Sequence, residues 1–241
     1  MLRTLRYMGD CVRALTPQQG YCISFSGVDG AGKSTLLSAT QELLAKHYRK
    51  QVVMLRHRPS LLPILSAWKY GKAGAEQRAA KTLPRQGTNR NTITSMLRFG
   101  YYYLDYLVGQ CYVYLRYLSR GYVVLYDRYY FDFISDPRRS NLQLPPGIAR
   151  WGYGPVHKPD LNFFLYAPAE AIRKRKQELS LEDIQDLSHS YLALFQDLAS
   201  KGTRGAYIPL ENLVLQDSLS TIQRHIHHTL FPHLESSNHP S

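Results

Sequence analysis

Eight consecutive residues, Gly27-Val28-Asp29-Gly30-Ala31-Gly32-Lys33-Ser34, have the types and spacing to hold a phosphate. They fit G-x-x-x-x-G-K-[ST] in full. Glycines let the backbone wrap an anion with its N–H groups turned inward. Lys33 can reach the β- and γ-phosphates of a nucleotide, and the hydroxyl of Ser34 can ligate Mg²⁺. A second group lies far along the chain. Asp127-Arg128 sets a carboxylate beside a guanidinium whose planar fork matches phosphate oxygens. The stretch DRYYFDFISDPRR then puts Asp132 and Asp136 one helical turn apart, ahead of Arg138 and Arg139. That stretch reads either as an acceptor-binding element with an anion clamp or as a helix ended by Pro137 and a solvated basic loop.

These groups need a scaffold that brings them together. Tyr21 to Ser26 is a short apolar strand, and Leu36, Leu37, Leu43 and Leu44 recur at helical spacing between Lys33 and Tyr48. The phosphate loop therefore joins a strand to a helix, so the positive end of the helix dipole faces the anion. QVVML (Gln51 to Leu55), YVVLY (Tyr122 to Tyr126) and LNFFLY (Leu161 to Tyr166) are further strands, with a weak fifth at Ala206 to Pro209. Helices are expected over Pro168 to Leu179, Leu181 to Ala199 and around Leu219 to Leu230. Strands alternating with helices imply a three-layer α/β/α domain with a mainly parallel sheet of about five strands. Asp127-Arg128 then lies at the carboxyl end of a strand, where open α/β sheets bind ligands.

The 241 residues form one domain in this reading. It has an N-terminal helix over 1–20, a basic insertion over 58–91, a loop over 137–158, a lid-like helix over 168–180 and a frayed tail over 232–241. Lys and Arg number 30 against 18 Asp and Glu, a formal charge of +12. Every Lys, Arg, Asp or Glu from Lys46 to Arg98 is basic except Glu76. Such a field favours a small anionic substrate, an acidic glycan, nucleic acid or an anionic membrane surface. Cys11, Cys22 and Cys111 include no C-x-x-C pair and read as small hydrophobes in a reducing, cytoplasmic setting. The first fifteen residues read as a short docking helix, with a transit peptide or surface-lying helix as the other readings. Met96 to Leu118 is apolar for about one bilayer thickness. It carries Arg98, Asp105 and Arg116, and reads as a long, mostly buried helix. His225, His227, His228 and His233 have no carboxylate or Cys spaced to complete a metal site.

GVDGAGKST, then YVVLYDRYY, then the basic helix PAEAIRKRK occur in an order that resembles the thymidylate kinase family of nucleoside monophosphate kinases, from about Tyr21 to Leu230. The resemblance implies ATP and Mg²⁺. Gly27, Asp29, Gly30, Ala31, Gly32, Lys33, Ser34 and Thr35 would contact ATP, and Ser34 and Asp127 would hold the metal. Lys33, Asp127, Arg128, Arg173 and Arg175 would carry the chemistry, the last two as lid arginines closing over the nucleotide. Asp29 would touch the acceptor's sugar. Arg56, Arg58, Arg98, Tyr102, Asp105, Tyr106, Arg128 and Tyr129 complete the expected acceptor side, and pairing of two copies through the long helix is implied as well.

The departures fall on that acceptor side. The family usually has Glu where this chain has Ser26, and Thr-Arg-Glu-Pro-Gly where this chain reads Leu55-Arg56-His57-Arg58-Pro59. Its long helix carries an Arg and a Gln for base and phosphate; here the matching stretch is Leu104-Asp105-Tyr106-Leu107-Val108. A thymine-reading pocket needs hydrogen-bonding partners at those positions. The expected activity is transfer of the ATP γ-phosphoryl to a nucleoside monophosphate such as dTMP. Two alternatives stay open: a kinase of a sugar or sugar phosphate, and a non-catalytic nucleotide-dependent regulatory or nucleic-acid-binding protein.

Overall fold

A computed structural model describes residues 19–59, 91–145 and 147–232. The N-terminal helix, the basic insertion from residue 60 to 90 and the tail from 233 lie outside the described residues. Five strands form one sheet in the order β2-β3-β1-β4-β5. They are β1 (Tyr21–Gly27), β2 (Val52–Arg56), β3 (Val123–Asp127), β4 (Leu161–Tyr166) and β5 (Ala206–Glu211). All neighbouring pairs are parallel. The helices are α1 (Lys33–Lys46), α2 (Thr92–Arg116), α3 (Phe131–Ser135), α4 (Ile148–Gly152), α5 (Ala169–Arg175), α6 (Leu181–Ser200) and α7 (Leu215–Leu230).

The period-two alternation of the strands divides the core into two layers. Ile23, Phe25, Val123, Leu125, Phe163 and Leu165 pack with Leu36, Leu37 and Leu44 of α1 and Ile222 and Ile226 of α7. Cys22, Val124, Tyr126 and Phe164 face the other way, toward Phe99, Tyr106 and Val113 of α2 and Tyr191, Leu194 and Phe195 of α6. Register places the carboxyl ends level: Phe25 of β1 and Arg56 of β2 both stand opposite Asp127. One line of loops therefore collects the loop after β1, the turn after β2 and Arg128.

Two elements differ from expectation. The helix expected over Pro168 to Leu179 stops at Arg175, and Ser180 starts the next one by capping the amide of Asp183. The long helix is not mostly buried. Ser95, Phe99, Tyr106, Gly109 and Val113 face the core, yet Ile93 and Leu97 (71% each), Leu104 (51%), Val108 (53%) and Leu115 (66%) are exposed along the opposite face. Cys111 is also exposed, unlike Cys22. Among the described residues, no helix is long and apolar enough to cross a membrane.

Candidate active site

The loop between β1 and α1 is built as a cradle. Gly30 and Gly32 have φ of +92° and +84°, a region side chains rarely adopt. The amide of Ala31 donates to the carbonyl of Val28 (3.1 Å), and Gly32 starts α1 with no side-chain cap. The first amides of α1 are thus left for an anion, and a polyphosphate fits. Asn212, just after β5, braces the loop from behind. Its Nδ2 donates to the Ala31 carbonyl (2.7 Å), its Oδ1 accepts from Ser218 Oγ (2.9 Å), and a Cβ on Gly32 would come within 2.3 Å of Nδ2. Ser34 and Thr35 are exposed at the head of α1.

Lys33 Nζ donates to Asp127 Oδ1 at 2.6 Å, joining loop and strand end across 94 positions of sequence. Burial and the charge of Arg128 pull the Lys33 ammonium's pKa below its ordinary value, against the pull of Asp127. A Ser34 hydroxyl and an Asp127 carboxylate are the hard oxygen donors that Mg²⁺ prefers.

Arg128 has φ +73°, and its amide donates to the Phe25 carbonyl (2.8 Å). The turn aims the guanidinium back toward the loop. Nη2 donates to Asp29 Oδ1 (2.8 Å) and Nη1 to Asp132 Oδ2 (3.1 Å). Arg139, from the 3₁₀ turn Pro137–Ser140, donates to both oxygens of Asp29. Asp132 is fully buried and also accepts from Tyr191 Oη (2.8 Å). Burial alone would raise the pKa of Asp29. The Arg139 hydrogen bond and the charges of Arg128, Arg139 and Lys176 override it and hold the carboxyl well below the usual carboxylate range. Arg56, His57, Asp127, Arg128, Arg139 and Ser140 line a cavity of about 310 Å³ next to this network. A larger cavity of about 520 Å³, toward the other end of β1, is lined by groups such as Cys22, Val113, Leu118 and Tyr126 and has no Asp, Glu, Lys or Arg in its wall. The chemistry selects the smaller one.

The expected acceptor residues divide. Arg56 and Arg128 line the cavity; Arg98 does not, and is half-buried on α2. Four of the expected acceptor residues are engaged internally. Tyr106 is buried in the core with its hydroxyl donating to the His57 carbonyl, and Tyr129 is buried with its hydroxyl donating to the His157 carbonyl (2.6 Å). Asp105 and Arg58 form a buried ion pair at 2.8 Å, with the Arg58 guanidinium 4.7 Å above the Tyr102 ring. Tyr106, Asp105 and Arg58 fasten the turn after β2 onto α2. Arg173 and Arg175 are exposed on α5. The end of that helix leans on the loop: a Cβ on Gly30 would lie 3.2 Å from Lys176 Cβ, and one on Gly32 would lie 3.8 Å from Arg175 Nη1. No cluster of three or more His, Cys, Asp or Glu residues that could hold a metal occurs among the described residues, which include His225, His227 and His228; His233 lies outside them.

Asn212 and the structural use of Asp132 carry no signal in a lone sequence, whereas Lys176 closes the basic PAEAIRKRK motif and Arg139 stands in a basic pair in the segment after the Asp127-Arg128 motif. The Trp151 loop is half folded. Tyr153 is buried with its hydroxyl 2.9 Å from that of Tyr207, while Trp151 is exposed.

His57 sits in the cavity wall at φ +58°, its Nδ1 buried with no partner among the described residues. Burial, with Arg128, Arg58 and Arg139 nearby, lowers its pKa to about 4 despite the charge of Asp132. The unfolded chain then binds more protons than the folded one between pH 6.5 and about 4. The stability that neutral His57 contributes is present above pH 6.5 and lost as pH falls through this window. His157 and His225 shift the same way. The readout is therefore the difference between wild type and His57→Asn in urea unfolding at pH 7.5 and 4.5, and the variant is expected to lose less stability on acidification.

The sequence matches no family model and no curated protein. Among solved structures it is similar to thymidylate kinase from Candida albicans, at a TM-score of 0.53 and 20% identity over 88% of this chain and 92% of that one. That likeness establishes a thymidylate kinase-like fold.

Proposed function

We propose that the chain is a phosphotransferase that moves the γ-phosphoryl of ATP to a small acceptor. The observation that carries this is the 2.6 Å contact between Lys33 and Asp127, with Arg128 beside it opening onto an arginine-walled cavity. A nucleotide switch needs the loop; it does not need a second anion-binding cavity within reach of it. Lys33 and the free amides of α1 would hold the ATP phosphates, and Arg175 and Lys176 would neutralise charge from the α5 side. Ser34 and Asp127 would hold Mg²⁺, which would supply positive charge to offset that of the phosphates.

By its fold the default acceptor is a nucleoside monophosphate such as dTMP. A non-nucleotide acceptor is favoured by one feature: the stretch of α2 where the family reads a base is consumed internally, Asp105 by Arg58 and Tyr106 by the His57 carbonyl. ADP release measured with dTMP, other nucleoside monophosphates, nucleosides, sugars and sugar phosphates, one acceptor per assay, tests both. Turnover confined to dTMP would support the first reading and refute the second. Turnover with sugars alone would do the reverse, and nucleotide binding without turnover on any acceptor would point to a regulatory protein.

We also propose that two copies pair through the exposed face of α2. Ile93, Leu97, Leu104, Val108 and Leu115 recur at alternating spacings of four and seven, a seam suited to a second identical helix. Light scattering is expected to give twice the chain mass for wild type and a monomer for Leu104→Glu; a monomeric wild type at tens of micromolar contradicts this.

A further inference from the structure

The larger cavity, about 520 Å³, is of the size that small-molecule sites have, and neither Lys33, Asp127 nor Arg128 lines it. It reaches from Cys111 and Leu115, exposed on α2, to Cys22 and Tyr126, which are buried. Among the described residues its wall holds no Asp, Glu, Lys or Arg. Burial lowers the pKa of His157, so the one imidazole in the wall is uncharged at pH 7 as well. An ion entering this space would lose its water and gain no counter-charge.

The polar groups of the wall divide into spent and unspent. Tyr129 Oη donates to the His157 carbonyl (2.6 Å). Gln110 Oε1 accepts from the His157 amide (2.6 Å), and its Nε2 donates to the Pro155 carbonyl (3.4 Å). These bonds fasten the segment before β4 to α2 and to the loop after β3. Tyr126 is different. Its side chain is 3% exposed, and its ring is set edge-on against that of Tyr129 with centroids 4.9 Å apart. Its hydroxyl has no hydrogen-bond partner among the described residues. A buried tyrosine hydroxyl ordinarily has one.

We propose that this cavity is a binding site for a neutral, largely apolar molecule carrying one hydroxyl or carbonyl oxygen, with Tyr126 Oη bonded to that oxygen. The apolar wall supplies affinity, and the single unspent hydroxyl supplies orientation. The site does not depend on the phosphotransferase reading. Leu115 also belongs to the face proposed for pairing, so binding has to be measured across protein concentration.

Three probes share the same fused rings: 2-naphthol carries a hydroxyl, naphthalene nothing, and 2-naphthoate a carboxylate. Each is titrated into the full-length protein at neutral pH and followed by its own fluorescence. 2-Naphthol is expected to bind, naphthalene about 3- to 10-fold more weakly, and 2-naphthoate at least about tenfold more weakly. Tyr126→Phe is expected to bring 2-naphthol down to the affinity of naphthalene and to leave naphthalene itself unchanged. Its melting temperature should match wild type, because no internal hydrogen bond is lost. Cys111→Trp, at an exposed position of α2, is expected to weaken 2-naphthol and naphthalene alike by filling the mouth, and keeps the test open if the phenylalanine variant fails to fold. Equal 2-naphthol affinity in wild type and Tyr126→Phe overturns the proposal, as does undiminished binding in Cys111→Trp. So does absence of binding to wild type, or binding that fades as protein concentration rises, which would mean that a second copy covers the cavity.

Discussion

Lys33→Ala is expected to lower kcat by about 10²- to 10³-fold, the usual loss when one charge-stabilising donor is removed from a transferring phosphoryl group. The fold should survive. Lys33 and Asp127 are partly accessible, so the stranded carboxylate can recruit water, and the cost in stability is about 1 kcal/mol. Loss of rate without loss of fold is the signature of a residue that acts on the phosphate. Steady-state ADP release with the best acceptor, beside a thermal melt, reads both quantities. A rate within tenfold of wild type would show that Lys33 serves Asp127 and not the nucleotide.

Arg128→Met has the opposite character and a comparably large effect. Arg128 is the hub between Asp29 and the fully buried Asp132, which among the described residues keeps the Tyr191 hydroxyl and the more distant Arg139 once the guanidinium is gone. Breaking a buried pair by removing one partner costs about 3–5 kcal/mol. Methionine would inherit the left-handed backbone at φ +73°, so no strain is relieved in return. For a chain of this size the melting temperature is expected to fall by roughly 10 °C, and acceptor turnover should be lost. Arg128→Lys should recover part of the stability and little of the turnover, because an ammonium cannot span two carboxylates with a planar fork. A melting temperature within 2 °C of wild type for Arg128→Met would mean that Asp132 is satisfied without it.

The fold was readable because its signals are local and redundant. Each strand is a short apolar run, each is followed by helical spacing, and the glycine loop pins the first β–α junction. Strand order is another matter: β1 lies between β3 and β4, a neighbour relation that no local period encodes. The loop after β1 was equally plain, since its backbone geometry is written in its glycines. On the acceptor side, Tyr106, Tyr129, Asp105 and Arg58 have internal partners that the sequence did not announce, for one physical reason. A polar group can face a ligand or satisfy a buried partner, and the partner here is supplied by distant positions: the His57 carbonyl for Tyr106, the His157 carbonyl for Tyr129, Arg58 for Asp105. Arg139 shows the converse. Its place in a basic pair after Pro137 reads equally as solvated loop, and only the folding of that turn against Asp29 separates the two readings.

The destination of one phosphoryl group distinguishes a phosphotransferase from a nucleotide switch. With ATP labelled at the γ-phosphate, Mg²⁺ and a panel of nucleoside monophosphates, nucleosides, sugars and sugar phosphates, the wild-type protein is predicted to move label into one acceptor, with ADP formed in equal amount and transfer by Lys33→Ala lowered by about 10²- to 10³-fold. Label recovered only as inorganic phosphate, or left on ATP with every acceptor, would contradict it.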